Sequence, residues 1–368
     1  MALQASAQAY HYDVNNDKQV TVTDIMLIVN KILGLATEPE EHPLTITVSE
    51  NPLISSEASG PQQGPRRSPE VTTESLKLFD ISWMYEDPIV QGDYYYFNEN
   101  GQSSYTYEIG SPGYYENSGS WPSPIADDKS VIPLTVFGFN SGELEPATDF
   151  KPYLKFECEE SADNQTDLIV AKNSKTWNQC HGIVNLEFNH VCSAFQFSIK
   201  KSSGMAAYNI EVAEVVLHNI IKKGNYYLLN NRWVLDNVYT DYTLKSINVG
   251  NISLDGDDTQ TVLLNPDANN YLFLIPQPIT SMAKGTPIAT ADNEKKSYIE
   301  ISCKIKNSDG LQLWPTGANS DGFGSVYLPF NPTFSNTEGK MKPGYIYPII
   351  INIGTSIRDA DGNKISLQ

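Results

Sequence analysis

Oxygen-bearing side chains recur at a fixed spacing near the start of the chain, in the segment D-V-N-N-D-K-Q-V-T-V-T-D. Read as a twelve-residue loop, the segment has side-chain oxygens at positions 1, 3, 5, 9 and 12 and a backbone carbonyl at position 7. Ca²⁺ is a hard cation that takes about six to eight oxygen ligands, and an EF-hand loop supplies them at these positions. The spacing therefore predicts one Ca²⁺ site with the ligands Asp13, Asn15, Asp17, Gln19 (through its carbonyl), Thr21 and Asp24.

The residues after this loop predict a helix that would support it. Apolar residues over 22–34 follow helical spacing, and Gly34 suits the C-terminal end of a helix. Loop and helix together resemble one repeat of a dockerin, the calcium-binding module of secreted bacterial proteins. Position 6 of the loop holds Lys18, where the turn favours Gly, and no second repeat comes after Gly34. The alternative is a solvated acidic turn that caps a small helix.

Composition narrows the range of functions. The chain has 368 residues and a formal net charge of −19, and its acidic residues are spread along the sequence. This charge argues against nucleic acid and against anionic lipid surfaces as partners, because both repel an acidic protein. The sequence contains no run of about 18 apolar residues, so it predicts no transmembrane helix.

Short alternating segments dominate the chain after residue 42 and predict β-strands. About seven or more such segments in each half, separated by turn residues, are typical of antiparallel β-sandwiches. The sequence therefore predicts an all-β fold of two antiparallel β-sandwich domains after a small EF-hand-like loop and helix. The predicted divisions are a calcium loop and helix over 10–35, a linker over 36–42, an N-terminal sandwich over 43–189 and a C-terminal sandwich over 190–368.

The first predicted strand and the segment after it have contrasting compositions. Leu44–Val48 alternates apolar and polar residues as a half-buried strand does. Residues 50–74 are rich in Pro, Ser, Gly and Glu, which predicts an exposed, mobile loop. This loop contains the basic pair Arg66 and Arg67, which is a potential proteolytic site or merely an exposed pair.

The residue types that most often perform catalysis do not form a recognisable active-site pattern. The spacing of Cys158, Cys180, Cys192 and Cys303 matches no zinc site, and buried thiols are the favoured interpretation, although a Cys180–Cys192 disulfide stays open. His190 lies beside a predicted strand and is interpreted as a packed or hydrogen-bonded histidine. Cys180 and His181 are adjacent, and on a strand they would point to opposite faces and form no dyad. We therefore expect no enzymatic activity.

A second resemblance rests on several motifs that follow one another in a fixed order. They include D-L-I-V-A, V-N-L-E-F-N-H, S-A-F-Q-F-S-I, Y-N-I-E-V-A-E-V-V-L, Y-L-F-L-I-P-Q, Y-I-E-I-S, V-Y-L-P and G-Y-I-Y-P-I-I-I. In this order they resemble the fimbrillin-like (Mfa-like, type V pilus) proteins of Bacteroidetes over about residues 43–354. The motifs begin at residues 167, 184, 193, 208, 271, 298, 326 and 344.

The resemblance implies two transthyretin-like β-sandwiches and a role as a fimbrial subunit or adhesin at the outer cell surface. It also implies assembly with other pilus subunits by strand exchange. A protease cuts after a basic residue, the first strand leaves, and a strand from another subunit replaces it. Leu44–Val48 matches that first strand, and Arg66 or Arg67 matches the cleavage site. Because Ile365–Gln368 shows no long donor strand, the expected role is a tip or accessory adhesin, or alternatively a stalk subunit.

An alternative function is a carbohydrate-binding surface module of a glycan-utilisation system. Its basis is the aromatic-rich region from the segment Gly92–Phe97 to Trp121. Exposed aromatic rings can stack on sugars, but Tyr is also common on half-exposed strands. The sequence leaves these two interpretations open.

Overall fold

The structure is a computed structural model of the chain. It describes residues 43–50, 54–55, 78–86, 94–96, 105–108, 115–120, 133–145, 151–161, 164–245, 250–255, 261–264, 271–290, 295–316, 322–334 and 340–367. The predicted calcium loop, the helix over 22–34, the linker over 36–42 and the pair Arg66 and Arg67 lie outside these residues.

Strands are the main regular structure of the described residues and helix is scarce, which confirms the all-β prediction. Helical structure there is limited to short turns, among them α1 (Trp177–Cys180) and a 3₁₀ turn over Ser203–Met205. The strands are β1 Pro43–Glu50, β2 Ile54–Ser55, β3 Leu78–Glu86, β4 Tyr94–Tyr96, β5 Tyr105–Glu108, β6 Tyr115–Ser120, β7 Leu134–Phe139, β8 Glu143–Glu145, β9 Tyr153–Glu157, β10 Ile169–Lys175, β11 Ile183–His190, β12 Ser193–Lys201, β13 Tyr208–Ile221, β14 Lys223–Tyr227, β15 Arg232–Leu235, β16 Tyr239–Lys245, β17 Ile252–Leu254, β18 Val262–Leu263, β19 Leu272–Leu274, β20 Tyr298–Asn307, β21 Gln312–Trp314, β22 Gly324–Pro329 and β23 Tyr345–Ile353.

The described chain divides into two compact units. The first contains β1 and the described parts of Leu76–Phe139 and Ala171–Phe188. The second contains β2 and the described parts of Asn140–Val170 and Asn189–Gln368. The sequence-based division assigns residues 140–170 to the N-terminal domain, whereas their contacts group them with the second unit. The boundary near residue 189 stays a prediction of the sequence.

The first unit is built on a sheet in the order β4-β3-β7-β10-β11-β1-β6, with β5 also pairing with β3. β1 lies between two strands, parallel to β11 and antiparallel to β6. Alternating hydrophobicity predicts where strands occur. It does not predict that the first strand runs parallel to a partner more than a hundred residues away.

The second unit contains three sheets. A five-stranded sheet has the order β18-β12-β23-β2 with β19 on β12, and a six-stranded sheet has the order β16-β13-β20-β21 with β17 on β13 and β22 on β20. A four-stranded sheet has the order β15-β14-β9-β8. The rings of Phe197 on β12 and Phe330 directly after β22 lie 6.1 Å apart and link the two larger sheets.

The strand β13 shows how the sequence pattern produces this core. Its residues Ile210, Val212, Val215 and Leu217 are fully buried, and the residues between them are mostly half-exposed. The pairing with β20 shifts register between Val212 and Glu214. This β-bulge adds one residue to the strand, so that Val212 and its neighbour are both buried and the alternation continues on the same face.

Several strands escaped the sequence analysis. They carry few apolar residues or are very short: β2, β6, β8, β16, β17 and β21. The prediction that 50–74 is wholly a mobile loop was wrong for residues 54 and 55, which form β2 and pair with β23. Two residues are too few for an alternating pattern to be recognised.

A close approach inside the first unit requires a glycine on β7. A Cβ atom at Gly138 would lie 2.6 Å from Cζ of Phe188 and 3.1 Å from Cδ1 of Leu186. The Phe188 ring is buried and packs edge-on against Phe79, with ring centroids 5.1 Å apart. The ring therefore has little room to move, and Gly138 permits β11 and β7 residues to pack closely.

We predict that Gly138→Ala destabilises the protein by about 1–3 kcal/mol, because the added methyl group overpacks the core. On strand propensity alone the same change would be stabilising, so the sign of the effect tests the packing. Thr135→Ala on the same strand is the control, since Thr135 is half-buried and its hydroxyl donates only to the exposed Ser174. Denaturant unfolding measures both variants. A Gly138→Ala protein as stable as the wild type would contradict this packing.

Candidate functional site

The first strand is the structural element around which a binding site can form. β1 pairs with β11 over six residues, from Thr45 opposite Ile183 to Glu50 opposite Phe188. On its other side it pairs with β6, where Thr45 is opposite Glu116 and Ile46 is opposite Tyr115. These backbone interactions occupy both edges of β1, so its departure would leave two strand edges without a partner.

The strand next to β1 has one fully buried face. Val184, Leu186 and Phe188 on β11 are at most 1% exposed, whereas the alternate residue Ile183 is 51% exposed. Paired residues on neighbouring strands share a face of the sheet. In the backbone register, Ile46 is paired with Val184 and Val48 with Leu186, so both positions of β1 are opposite this buried row.

The second strand pairs with another sheet edge, in the second unit. β2 is parallel to β23, with Ile54 opposite Tyr345 and Ser55 opposite Ile346. The other edge of β23 pairs with β12 over eight residues. Among the described residues, nothing pairs with the β2 side of β23 beyond Ile346, and Ile350 on that strand is 49% exposed.

The segment after β23 folds back as a hairpin. The amide of Ile365 donates to the carbonyl of Ile357, and the amide of Asp359 donates to the carbonyl of Asn363. The Asp359 carboxylate accepts the amides of Asp361 at 3.0 Å and Asn363 at 2.8 Å. The acidic run 359–363 is therefore a tight turn. Ile357 and Ile365 are both buried, which holds the hairpin to the second unit.

His190 is a buried hydrogen-bonded histidine, as the sequence predicted. Its Nδ1 hydrogen-bonds to Oδ2 of Asp167, and burial raises the pKa of the Asp167 carboxyl group. Asp167 lies in the loop just before β10. The side-chain amide of Asn140 donates to the backbone carbonyl of Asp167 at 2.8 Å. The pair therefore connects β11 to this loop and serves packing.

Cys180 and His181 were predicted to lie on a strand, and this prediction was wrong. Cys180 is the last residue of α1, and His181 caps this turn in the left-handed conformation with φ 49°. They do not lie on a strand, because a capping box at Thr176 starts a helical turn there. The thiol of Cys180 donates to the carbonyl of Thr176 at 3.4 Å, so it is directed along its own turn.

All four cysteines are free thiols in the structure, so the Cys180–Cys192 disulfide is not formed. Cys158, Cys192 and Cys303 are buried, which confirms the interpretation that most of them are small buried residues. Burial raises the pKa of Cys192 and raises that of Cys303 to about 12. Thiols with raised pKa values are poor nucleophiles at neutral pH.

The sequence analysis missed a charged cluster around His218. Its Nδ1 lies 3.0 Å from Oδ2 of Asp241, and its Nε2 lies 3.1 Å from Oε2 of Glu300. The imidazole ring stacks on Tyr298 with centroids 4.4 Å apart, and Ser325 donates to Glu300 at 2.6 Å. The cluster joins β13, β16, β20 and β22, strands that are remote in sequence, so no local motif reveals it.

The charges in this cluster favour a protonated histidine. Burial alone would lower the pKa of His218, but the hydrogen bonds to Asp241 and Glu300 outweigh it and raise the pKa to about 9. The hydrogen bond from His218 in turn lowers the pKa values of both carboxyl groups. At neutral pH the imidazolium ion donates from both nitrogens and holds three strands of the sheet together.

The predicted calcium ligands and the predicted cleavage site, Arg66 or Arg67, lie outside the described residues and stay predictions. The same holds for Trp121 of the aromatic region. Parts of that region form the strands β4, β5 and β6, in accord with the use of Tyr on strands. Within the described residues, no helix is long and apolar enough to span a bilayer.

The fold and the pairing of β1 define an all-β protein whose first strand is held between two others by backbone hydrogen bonds. The sequence pattern of the fimbrillin-like family matches residues 90–317, more than half of the chain. The chain therefore belongs to the fimbrillin-like family.

Solved structures that resemble the chain include a fimbrial protein from Bacteroides vulgatus, with 15% identity, a TM-score of 0.49 and coverage of 84% of this chain and 95% of that one. A putative cell adhesion protein from Parabacteroides distasonis has 8% identity, a TM-score of 0.46 and coverage of 87% and 91%. One from Bacteroides eggerthii has 12% identity, a TM-score of 0.39 and coverage of 89% of both chains. No curated protein sequence matches the chain.

We predict that the His218 cluster makes stability depend on pH in the alkaline range. The folded-state pKa of about 9 lies above the ordinary value of 6.5, so the folded protein holds its proton more tightly. This stabilisation is complete below about pH 6.5 and is lost as the pH rises to about 9 and above. We expect the protonated His218 to contribute about 1–2 kcal/mol to the free energy of unfolding, a modest value because the ring is partly exposed to solvent.

The measurement is the free energy of unfolding of the wild type and of His218→Gln between pH 6 and pH 10. The difference between the two proteins should shrink as the pH rises. The control is His181→Gln, because His181 is exposed and lies outside the cluster. A wild-type advantage that stays constant over this range would show that the charge of His218 does not contribute.

Proposed function

We propose that the chain is an adhesive fimbrial subunit of the bacterial cell surface that joins other subunits by exchanging its first strand. The observation that carries this proposal is the placement of β1 between β6 and β11, beside the buried row Val184, Leu186 and Phe188. The fimbrillin-like family supports the fimbrial role, and it is a family of fimbrial proteins rather than of enzymes.

The physical basis of exchange is that any strand with matching alternation can satisfy the same edges. A departing β1 would leave the edges of β6 and β11 without a partner, and the alternation of its sequence assigns Leu44, Ile46 and Val48 to one face of the strand. Burial of three such side chains stabilises by roughly 1.5–3 kcal/mol each. A replacement strand from another subunit would recover both the backbone hydrogen bonds and this burial.

Cleavage after Arg66 or Arg67 is the proposed trigger. Both residues follow β1 and β2 in the sequence, so one cut would separate the two strands from the rest of the chain. The cut chain would still hold β1 through its pairing. Exchange would therefore need a competing strand as well as cleavage.

A tip or accessory adhesin is the proposed position in the fimbria. The support is the hairpin after β23, in which Ile357 and Ile365 are buried. Residues 357–365 pack on the second unit through Ile357 and Ile365. They would have to detach from it before they could serve as a donor strand. A stalk subunit requires such a donor, so this packing favours the accessory role.

A Ca²⁺ ion bound by Asp13, Asn15, Asp17, Gln19, Thr21 and Asp24 is part of the proposal. Its support is the spacing of the oxygen ligands in the sequence. Cleavage after Arg66 or Arg67 would also remove this dockerin-like segment. The calcium module would therefore act before assembly, for example in pairing with another surface.

We predict that strand exchange follows cleavage. The chain is digested with an arginine-specific protease and incubated with an excess of a labelled peptide of the sequence of residues 43–50. The cleaved protein should take up the peptide, and the Arg66→Ala/Arg67→Ala protein should not. Incorporation is measured by gel filtration and by an unboiled denaturing gel.

Paired peptide variants test the register. Ile46→Asp/Val48→Asp should abolish uptake, because these positions pair with the buried Val184 and Leu186. Thr45→Lys/Thr47→Lys is the charged control and should be tolerated, because these positions pair with exposed Ile183 and Asn185 and Thr45 is also opposite Glu116. Equal uptake of both variants, or none of the wild-type peptide over many hours, would refute exchange at β1. Heat-labile ladders without added peptide would instead indicate a stalk subunit.

We predict that the full chain binds Ca²⁺ and that Asn15→Ala weakens this binding by at least about tenfold. Asn16→Ala is the matched control, since position 4 of the loop is not a ligand position. Isothermal titration in calcium-free buffer measures both variants. Equal affinities for the two variants, or no binding by the wild type, would mean that the segment is a solvated acidic turn.

A further inference from the structure

The second unit contains a pocket beside the hairpin that follows β23. It encloses about 180 Å³ between the end of β22, the end of β23, the loop over 282–286 and the hairpin. Apolar side chains form much of its lining, among them Met282, Leu328, Pro329 and Ile357. A small ligand with an apolar body would find favourable contacts there.

A guanidinium group held in a fixed position lines the same pocket. Nη1 of Arg358 donates to the carbonyl of Gly362 at 2.5 Å, and the backbone carbonyl of Arg358 accepts the amide of Tyr327 at 3.0 Å. Gly285, with φ +85°, packs against the group, since a Cβ there would lie 3.2 Å from Cζ of Arg358. The hairpin and the facing loop thus fix the position of the guanidinium.

Arg358 uses few of its hydrogen-bond donors. Its Nε is buried out of reach of a ligand and makes no hydrogen bond within the described part of the chain, so a ligand would meet the Nη groups, and no carboxylate there forms an ion pair with them. A guanidinium has five N–H donors, and buried polar groups nearly always have partners. A positioned cation with unused donors at the wall of a pocket is the arrangement that recognises an oxyanion.

The other charges at the pocket agree with an anionic ligand. Lys284 also lines it and makes no ion pair with the described residues. The one acidic group of the lining, Asp359, already accepts the amides of Asp361 and Asn363 within its own turn. The lining therefore carries two cations and one carboxylate that is already hydrogen-bonded.

We propose that this pocket binds a small carboxylic acid with an apolar body, with its carboxylate at Arg358 and Lys284. The apolar body would pack against the partly exposed side chains of Leu328 and Pro329. A free acid and the C-terminal residue of a polypeptide share this chemistry. The site is separate from β1 and does not depend on strand exchange.

Ligand-observed NMR and calorimetric titration of the full chain test the site with three probes. N-acetyl-L-leucine represents a C-terminal residue, hexanoate represents a free acid, and N-acetyl-L-leucinamide is the uncharged control. Binding of both acids, or of one of them, with at least about tenfold weaker binding of the amide supports the site and identifies the source it prefers. Failure of both acids to bind, or equal binding of the amide, overturns it.

Variants locate the binding. Arg358→Gln should weaken binding of the better acid at least about tenfold, and Ser356→Trp, at an exposed position of the lining, should block the pocket and leave Arg358 intact. Lys364→Gln is the matched control, because Lys364 is exposed on the same hairpin but does not line the pocket. Thermal unfolding checks that each variant is folded. Unchanged binding by folded Ser356→Trp would place the ligand elsewhere and reject the proposal.

Discussion

The pairing of strand edges is the constraint on which the first unit depends. Every residue of a strand except proline carries a backbone donor and an acceptor, and a buried strand must find partners on both sides. β11 obtains one partner from β1, which arrives from a distant part of the sequence and runs parallel to it. That pairing runs beside the fully buried row of β11, and β1 is held there by non-covalent contacts. A fold arranged in this way is suited to exchange of that strand. A free strand edge can accept any strand whose apolar and polar residues alternate in the matching order, whatever its exact sequence.

The second unit meets the same constraint with its own strands. β13 pairs with β20 over ten residues and with β16 and β17 on its other side, so both of its edges are occupied within the unit. The exception is the β2 side of β23, where the described pairing covers two residues and Ile350 is largely exposed. A strand edge without a partner favours pairing with another strand, and within the described residues this side of β23 has none beyond Ile346. The strands β1 and β2 both precede Arg66 and Arg67 in the sequence. If they were lost, β11 would lack its partner β1 and β23 would lack its partner β2.

Sequence alternation predicted the strands that have one buried face and one exposed face, such as β11 and β20. It failed for β16, where Asp241 and Thr243 are exposed and Tyr and Thr occupy most other positions, and for strands of two or three residues. Register and parallel pairing depend on contacts across more than a hundred residues, so local pattern carries no information about them. The His218 cluster illustrates the same limit, because Asp241 and Glu300 reach His218 only through the sheet. The resemblance supplied the family, which alternation could not, and it implies that Leu44–Val48 is the strand that would be exchanged.

The distribution of cations adds a further argument about the second unit. In a chain with 25 basic and 44 acidic residues, a cation is often bracketed by acids. Lys222 lies 2.8 Å from Glu157 and 3.0 Å from Glu160, and His218 lies between two carboxylates in the same way. Exposed ion pairs stabilise little individually, but these positive groups relieve repulsion between neighbouring acidic strands. Arg358 departs from this pattern: it is held by a backbone carbonyl and has no carboxylate partner in the described part of the chain. Because acids are abundant in this protein, an arginine held without one at the wall of a pocket is better explained by an external anion than by the stability of the fold.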